Sequence, residues 1–334
     1  MATINEVSEL ANVSISTVSR VINNNAPVKE STRKRVYSAM EQLGYQPNLF
    51  AQGLVTNRSR SITLVLTDST GGYFGPLVKG IENTLREAKY NLSVSVGNEG
   101  LSEVQDTFRY LISWRSDAVI LFPHCLTDEQ ILALKETAPP MVVLNRQLPE
   151  LSQQSIMVDN EQGSRLAIQH FLDNGHQQIA CIAGPLGNSE ALSRLEGYKA
   201  ALNENEIVHQ DNQVVVSDFT VEGGYEAIGQ LLEQGAEFSA IYACNDQMAV
   251  GAMKALKDAG KRIPKDVSVI GFDDVEFAGL ITPSLTTIRQ PIAQMAEDAA
   301  KLAVRLIEGK TNLPVQPLYS PTLIERESVA PFKG

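Results

Sequence analysis

The sequence is poor in the residues that disulfide frameworks and metal sites require. Its three cysteines are Cys125, Cys181 and Cys244, and its four histidines are His124, His170, His176 and His209. The cysteines are odd in number, far apart in the sequence and set in apolar runs, so we expect buried thiols rather than a disulfide. The histidines lack the spacing of metal ligands. The sequence therefore predicts neither a disulfide framework nor a bound metal.

Segments that send a chain into or across a membrane are also lacking. The first residues form neither the basic nor the apolar region of a signal peptide. No window reaches the roughly 18 consecutive apolar residues of a membrane span. We therefore expect a cytoplasmic protein with no membrane partner.

Motifs of catalysis are missing as well. The sequence contains no G-x-S-x-G elbow and no Walker loop, and residues 71–75 do not match the dinucleotide fingerprint. An enzyme is the first alternative class of protein, but no motif supports it. We predict that the protein has no catalytic residues and binds no cofactor.

The charges are distributed unevenly along an otherwise ordinary globular sequence. The 334 residues carry a net charge of −11, and their length predicts two or three compact units. The first 60 residues contain seven basic and only four acidic side chains, so a small basic segment precedes an acidic remainder. This division is typical of a small nucleic-acid-binding head on an acidic body.

The head begins with a short predicted helix. Thr3 and Glu6 stand at the spacing of a capping box, and apolar residues follow at helical intervals, which predicts a helix over about 4–11. Asn12 comes where a left-handed residue is needed to end this helix. A tight turn should therefore follow directly.

Two more helices are predicted after that turn. Ser14 is placed to cap a second helix that runs through Ile22. A third amphipathic helix is predicted over 31–43, with Gly44 to end it. Two short helices joined by a tight turn make a helix-turn-helix motif.

The surface of the second helix favours nucleic-acid binding over a plain three-helix bundle, which is the alternative. Its outward side chains are Ser14, Ile15, Ser16, Thr17, Ser19 and Arg20. Small hydroxyls and one guanidinium can donate to phosphates and contact base edges without filling the major groove. The pattern therefore predicts a DNA-recognition helix.

The head resembles that of the lac/galactose repressor family. The similarity lies in ATI (2–4), VSISTVSRVIN (13–23), TR (32–33) and GYQPN (44–48). By position, the resemblance implies that the base-reading residues are Ile15, Ser16 and Arg20. It implies that the residues that contact the backbone are Thr3, Ser14, Thr17, Ser19, Asn23, Thr32 and Tyr45. The expected partner is palindromic operator DNA, and since one motif covers a half-site, we expect a homodimer.

A hinge of residues 47–60 follows the head of residues 1–46. Residues 48–54 allow barely two turns of helix and, taken alone, read as a flexible linker. The segment also resembles the family's hinge helix, which implies DNA contacts by Asn48, Ala51 and Leu54, with Leu54 wedged into the minor groove. Gly53 departs from the larger residues of that helix and should leave the free hinge disordered.

The remainder, residues 61–334, alternates apolar runs with amphipathic helices. The predicted elements are strands at 62–67, 92–96, 118–122, 141–144, 156–158, 179–183, 214–217, 240–243 and 267–272, with helices at about 75–89, 102–114 and 128–137. This rhythm predicts an α/β body of two doubly wound, parallel-sheet lobes. The expected N-lobe comprises about 61–157 and 291–318, and the expected C-lobe about 158–290 and 319–334.

Polar and aromatic residues follow the predicted strands. They are Asp68, Tyr73, Phe74, Asn145, Arg146, Asp159, Asp218, Phe219, Asn245, Asp246, Asp273 and Asp274. Open parallel sheets bind ligands beyond the carboxyl ends of their strands. Aromatic faces with amides, carboxylates and an arginine suit a polyhydroxylated ring.

Structural roles are the alternative for several of these residues. Asp159, Asn245 and Asp246 precede helices and can act as helix caps. Adjacent residues of an extended strand face opposite ways, so Asp273 and Asp274 are expected to form hydrogen bonds rather than a catalytic pair.

The body resembles the effector domain of the same family, whose fold is that of periplasmic binding proteins. The similar segments are MVVLNRQLP (141–149), GPL (184–186), RLEGY (194–198), NDQMA (245–249), VSVIGFDD (267–274) and LTTI (285–288). The implied effector contacts are Tyr73, Phe74, Asn145, Arg146, Arg194, Phe219, Asn245, Asp246, Asp273 and Gln290. Arg194 alone also reads as a surface charge.

The resemblance implies a transcriptional repressor whose operator affinity is controlled by a small molecule. The segment at 141–149 is most similar to galactose- and glucoside-responsive members, which favours a sugar over a purine. A periplasmic transport receptor is the second alternative for the body, but that class requires a signal peptide.

Overall fold

The computed structural model describes residues 2–23, 26–46, 58–66, 72–96, 108, 116–124, 126–310, 313–315 and 317–333. The chain divides into a small N-terminal unit, which reaches Ser61, and a large unit that contains most of the remainder. Each unit is described by itself.

Three helices form the small unit: α1 (Ile4–Leu10), α2 (Ile15–Asn23) and α3 (Glu30–Leu43). The predicted capping box is present, because the Glu6 amide donates to the Thr3 side chain and the Thr3 amide donates to Glu6. Asn12 takes a left-handed conformation, with φ of 47°. Gly44 does the same after α3, so both predicted helix ends are confirmed.

Buried side chains from all three helices form the core of the small unit. They are Val7, Ala11, Val18, Val21, Val36 and Ala39. Their spacing of three or four residues along each helix puts them on one face, as the apolar pattern predicted. The outward face of α2 is thereby left free of core packing.

The large unit contains two six-stranded sheets. The N-lobe sheet is composed of β1 (Ser61–Leu66), β2 (Asn91–Val96), β3 (Ala118–Phe122), β4 (Met141–Leu144), β5 (Ser155–Val158) and β11 (Leu318–Tyr319). The C-lobe sheet is composed of β6 (Ile179–Ala183), β7 (Val214–Val216), β8 (Ala240–Ala243), β9 (Ser268–Asp273), β10 (Thr286–Arg289) and β12 (Thr322–Ile324). Every residue of β3, β4, β6 and β8 is buried, which explains their unbroken apolar sequences.

The two sheets share one strand order. The N-lobe order is β2-β1-β3-β4-β5-β11, and the C-lobe order is β7-β6-β8-β9-β10-β12. The pairs β1–β3, β3–β4 and β4–β5 are parallel, and so are β6–β7, β6–β8, β8–β9 and β9–β10. The order reverses between β1 and β3, and again between β6 and β8. Such reversals are where doubly wound sheets bind ligands.

Helices cover the faces of both sheets. They are α4 (Phe74–Glu87), α5 (Asp128–Lys135), α6 (Asn160–Asp173), α7 (Ser189–Glu204), α8 (Val221–Glu233), α9 (Asp246–Asp258) and α10 (Ile292–Ile307). In the N-lobe, α4 and α10 pack closely, since a Cβ added at Gly80 would lie 2.7 Å from that of Ala296. Met295, Ala299 and Ala300 of α10 are buried in the same core as β1 and β3.

The chain passes between the lobes three times. It leaves the N-lobe after β5, returns after β10 to form α10 and β11, and crosses again into β12. The last strand, β12, is antiparallel to β10. Each lobe is therefore assembled from separate parts of the sequence.

The predicted fold class is confirmed in the described residues. The predicted strands occur within one or two residues of their expected bounds. The predicted helix at 102–114 apart from Phe108, most of the hinge of residues 47–60, Asp68 and Cys125 lie outside the described residues. Among the described helices, none is both long and apolar enough to cross a membrane.

Candidate functional site

The exposed face of α2 carries a network of hydroxyl groups. Ser14 caps the helix, because the Thr17 amide donates to its Oγ over 3.2 Å. The same Oγ lies 2.8 Å from Ser16 Oγ and 2.9 Å from Thr17 Oγ1. These hydroxyls are held together on the surface and can donate to a phosphate or a base edge.

Ile15 and Arg20 complete this face. Ile15 is 48% exposed, which is unusual for a branched apolar side chain on a short helix. Arg20 is exposed and, within the described part of the chain, forms no hydrogen bond or ion pair. An apolar group that can contact a thymine methyl and a guanidinium that can contact guanine are therefore both available.

The other predicted DNA contacts are placed less uniformly. Thr3 is exposed and already engaged in its capping box. Asn23 donates to Ser19 Oγ over 3.1 Å, and Thr32 and Tyr45 are half-buried. The remaining three, Asn48, Ala51 and Leu54, lie outside the described residues.

In the large unit, Arg194 projects from α7 into a buried polar network of the C-lobe. Its Nε donates to Asn160 Oδ1 over 2.8 Å, and its Nη1 donates to the Cys244 carbonyl over 2.5 Å. The same Nη1 lies 3.5 Å from Asp273 Oδ1, and the guanidinium stacks 3.8 Å above the Phe272 ring. Arg194 is only 4% exposed, so the alternative of a surface charge is wrong.

Asp273 ends β9 beside this guanidinium. Gln290 donates to its carboxylate over 2.7 Å, and burial raises the pKa of Asp273 to about 6 against the opposing effect of Arg194. The neighbouring Asp274 is engaged elsewhere, by Arg289 and Arg326. Both aspartates therefore have hydrogen-bonding roles, as predicted.

The prediction assumed an extended strand at Asp273 and Asp274, and this assumption is wrong. Asp273 and Asp274 are not extended, because their φ angles are 111° and 56°. The two carboxylates diverge since the chain turns sharply at the end of β9. This turn directs Asp273 toward Arg194.

Asn245 and Asp246 begin α9 and have different partners. Asn245 accepts from the Met248 amide over 2.9 Å, so its predicted cap is confirmed, and its own amide donates to the Phe219 carbonyl. Asp246 is fully buried and accepts from the Val275 amide and the Thr287 hydroxyl. The carboxylate of Asp246 therefore supports the loop after β9 instead of facing a ligand.

Aromatic side chains dominate the N-lobe side. Tyr73 and Phe74 contact each other edge-on at 5.4 Å between ring centroids, and both contact Phe122. Asn145 donates to the Tyr73 hydroxyl over 3.2 Å. Arg146 instead pairs with Asp128 at the start of α5, over 2.6 Å. Its guanidinium is thus already engaged within the N-lobe.

Three residues that the sequence analysis did not select lie between the lobes. His124 follows β3, while Asn188 and Glu190 stand at the start of α7. The Asn188 amide contacts His124 Nδ1, and Glu190 Oε2 lies 3.6 Å from the same nitrogen. With Phe122 and Asn145 they line a small cavity.

These three residues sit where the strand order reverses in each sheet. His124 follows β3 at the β1/β3 reversal, and the loop after β6 leads to Asn188 at the β6/β8 reversal. The signal that could have found them is this reversal, which is a property of strand order. The local apolar pattern does not contain it.

The described residues include no cluster of three or more histidine, cysteine, aspartate or glutamate side chains that could hold a metal ion. Cys181 and Cys244 are free and buried, as predicted. The charged groups of the interlobe cleft instead bind one another. The arrangement provides hydrogen-bonding groups and aromatic faces around a small cavity.

Comparison with known proteins identifies related sequences for both units of the chain. Residues 3–48 match the model of bacterial regulatory proteins of the lacI family, and residues 168–329 match the periplasmic binding protein-like domain. The HTH-type transcriptional regulator GalR of Escherichia coli (strain K12) is 37% identical over 330 residues, which cover 99% of this chain and 96% of GalR. Such relatives are transcriptional regulators, in agreement with the prediction that the chain is not an enzyme.

Two solved structures extend the similarity across the chain. A lac repressor dimer bound to operator and the anti-inducer ONPF has a TM-score of 0.89 at 30% identity, covering 98% of this chain and 99% of that chain. A complex of the transcriptional regulator CelR with cellobiose has a TM-score of 0.75 at 31% identity, covering 98% of this chain and 100% of that chain. The chain belongs to the lacI family of bacterial regulatory proteins and is a DNA-binding transcriptional repressor under effector control.

Proposed function

We propose that the effector is a sugar, that it binds in the interlobe cleft, and that it controls the affinity of a homodimer for palindromic operator DNA. Residues 1–46 are the proposed DNA-binding head, 47–60 the hinge and 61–334 the effector and dimerisation domain. Because operator binding requires access to the chromosome, we place the protein in the cytoplasm.

The observation that carries the sugar assignment is a set of buried acceptors. Asn145 Oδ1, Glu190 Oε1 and Gln290 Oε1 are buried and have no hydrogen-bond partner in the described part of the chain. A buried acceptor without a partner costs about 1–3 kcal/mol, so a ligand that donates to all three is favoured. Sugar hydroxyls supply such donors.

The aromatic groups and the arginine support the same class of ligand. Tyr73, Phe122 and Phe219 present ring faces beside the polar groups, which suits the apolar face of a sugar ring. The proposed effector contacts are Tyr73, Phe74, Asn145, Arg194, Phe219, Asn245, Asp273 and Gln290. Arg146 and Asp246 are left out of this set, because Arg146 pairs with Asp128 and Asp246 accepts from Val275 and Thr287.

Calorimetric titration of the full-length protein with a panel of hexoses and disaccharides tests the effector assignment. At least one sugar should bind with saturation, and the same sugar should change operator affinity in a parallel DNA titration. If nucleosides or purines bind and no sugar does, the sugar assignment is wrong while the repressor function stands.

The DNA contacts are tested separately with Arg20→Ala. A guanidinium that contacts guanine in two places contributes about 1–3 kcal/mol of discrimination, so the variant should lose preference for operator over scrambled DNA. Arg35→Ala, an exposed arginine on α3, is the matched control and should weaken both complexes alike. An unchanged specificity ratio for Arg20→Ala would show that α2 is not the recognition helix.

A further inference from the structure

Glu190 places a buried carboxylate in the wall of the interlobe cavity. It lies in the first turn of α7, where Asn188 caps the helix by accepting from the Glu190 and Ala191 amides. Glu190 is 6% exposed, and its Oε1 has no hydrogen-bond partner in the described residues. The cap fixes the backbone of Glu190 at the start of α7. Its carboxylate is therefore held in the cavity wall.

The histidine beside Glu190 does not neutralise that carboxylate. Asn188 Oδ1 is occupied by the helix cap, so the amide nitrogen of Asn188 is the atom that faces His124 Nδ1. An amide nitrogen can only donate, and Nδ1 must therefore accept with its lone pair. An accepting Nδ1 does not donate to Glu190 Oε2, which lies 3.6 Å away.

One guanidinium serves two carboxylates in this cleft. Arg194 lies 3.5 Å from Asp273 and also interacts electrostatically with Glu190. The nearby arginines Arg146 and Arg289 pair with Asp128 and Asp274 instead. Among the described residues, the cleft therefore carries a surplus of negative charge.

The pKa shifts of two neighbouring groups agree with this surplus of negative charge. Burial raises the pKa of Tyr73, and the carboxylates of Glu190 and Asp273 raise it further. Burial likewise raises the pKa of Asp273, with a smaller increase from Glu190. In both groups the Glu190 carboxylate opposes a further negative charge, in addition to the larger effect of burial.

We propose that Glu190 is a specificity-determining residue that admits uncharged sugars to the cleft and excludes sugar phosphates and uronic acids. This inference rests on the proposed sugar-binding function. The unpaired oxygen accepts a hydrogen bond from a ligand hydroxyl. An anionic group at the same place would face a buried carboxylate that shares the Arg194 guanidinium with Asp273.

The wild-type protein provides the first test. Galactose and glucose are each titrated beside their own 6-phosphate and 6-carboxylate forms, so that ring shape is matched and charge is varied. Because like charges brought together in a buried site repel strongly, the anionic forms should bind at least about tenfold more weakly than the neutral parents. Equal affinity for neutral and anionic forms would overturn the inference.

Charge-changing variants then assign the effect to this residue. Glu190→Gln should narrow the gap between neutral and anionic sugars, whereas Glu196→Gln, an exposed glutamate on the same helix, should leave it unchanged. Ser189→Asp adds a carboxylate to the cavity wall at a helix start, where acidic residues are tolerated, and should widen the gap. Operator binding without ligand shows that each variant is folded.

The outcomes separate the two proposals. If neither neutral nor anionic sugars bind the wild type, the proposed function fails and this inference fails with it. If sugars bind and the gap is unchanged in both Glu190→Gln and Ser189→Asp, Glu190 does not determine specificity and the proposed function stands.

Discussion

The two walls of the interlobe cleft are held in place by different kinds of interaction. In the C-lobe, Arg194 is fixed by hydrogen bonds to Asn160 and Cys244 and by an ion pair with Asp273. In the N-lobe, Tyr73 and Phe122 rest on edge-on and tilted ring contacts, with one hydrogen bond to Asn145. Ring contacts are tolerant of small shifts, whereas a buried ionic network is not.

The two lobes therefore contribute different properties to the candidate site. The C-lobe network defines a fixed set of charges before any ligand arrives. The N-lobe rings provide apolar contact area, whose energy depends less on exact position than that of an ion pair. Substitutions in the C-lobe wall should therefore have larger effects than substitutions in the N-lobe wall.

The largest expected effect comes from removing the guanidinium that organises the C-lobe wall. Arg194→Ala removes the donor to Asn160 Oδ1 and the Cys244 carbonyl and leaves Asp273 without its ion-pair partner. Breaking a buried ion pair in this way costs about 3–5 kcal/mol. We expect the free energy of unfolding to fall by that amount, and effector binding to be lost. Chemical denaturation and calorimetry measure the two effects.

Arg165→Ala is the matched control for this substitution. Arg165 also belongs to the C-lobe, but its ion pairs with Glu161 and Glu204 are at the surface, where such pairs contribute at most about 1 kcal/mol. Similar losses in both variants would contradict the view that the buried network defines the wall.

A second prediction concerns Phe219, an aromatic ring of the C-lobe wall. A Cβ added at Gly184 would lie 2.2 Å from the Phe219 ring, so Gly184→Ala must displace Phe219 from the cleft. Overpacking of this kind costs about 1–3 kcal/mol, and effector affinity should fall by about tenfold. Gly187→Ala, whose added Cβ would meet nothing within 4 Å, should bind effector like the wild type.

The third prediction uses the titration of Asp273. Its pKa of about 6 lies above the ordinary value of 3.8, so ionisation costs stability as the pH rises from 3.8 through about 6. A ligand hydroxyl that donates to the carboxylate favours the ionised form. Effector affinity should therefore be full above pH 6 and fall below it, by up to about tenfold per pH unit.

Asp273→Asn should abolish this pH dependence, because its amide does not titrate. Calorimetry at pH 5.5 in two buffers of different ionisation enthalpy should also detect proton release on binding by the wild type only. An unchanged pH profile in the asparagine variant would assign the titration to another group.

The smallest expected effect is in the N-lobe wall. Tyr73→Phe keeps the ring and removes only the hydroxyl that accepts from Asn145, a loss of about 0.5–1.5 kcal/mol. Effector affinity should drop a few-fold while the unfolding temperature stays nearly constant. Tyr225→Phe, which removes a surface hydrogen bond to Asp258, is the control and should change neither. A loss as large as that of Arg194→Ala would reverse the ranking of the two walls.

Much of the fold could be predicted from the sequence, because buried parallel strands require apolar residues on both faces. The strands Met141–Leu144 and Ala240–Ala243 were predicted to the residue for this reason. Polar residues just after such strands, such as Asn145 and Asn245, were also recognisable as candidate members of the site. Both kinds of signal are local in the chain.

The parts of the site that escaped prediction depend on non-local geometry. His124 and Glu190 can be recognised as candidates only once the strand order is known, because that order places their loops at the two reversals. Asn145 and Asp273 have positive φ angles of 54° and 111°, which tertiary packing imposes. Neither position is a glycine, so the sequence does not indicate these conformations. Their side-chain directions therefore could not be inferred from strand alternation.

The late position of α10 in the sequence has a consequence for how the protein is made. This helix fills the N-lobe core beside α4, yet a ribosome synthesises it only after nearly the whole C-lobe. During translation the emerging N-lobe must wait with an uncovered apolar face, while the C-lobe already holds five of its six strands. The lobe whose sequence begins first therefore finishes folding late, and the growing chain is most prone to aggregation or chaperone capture in that interval.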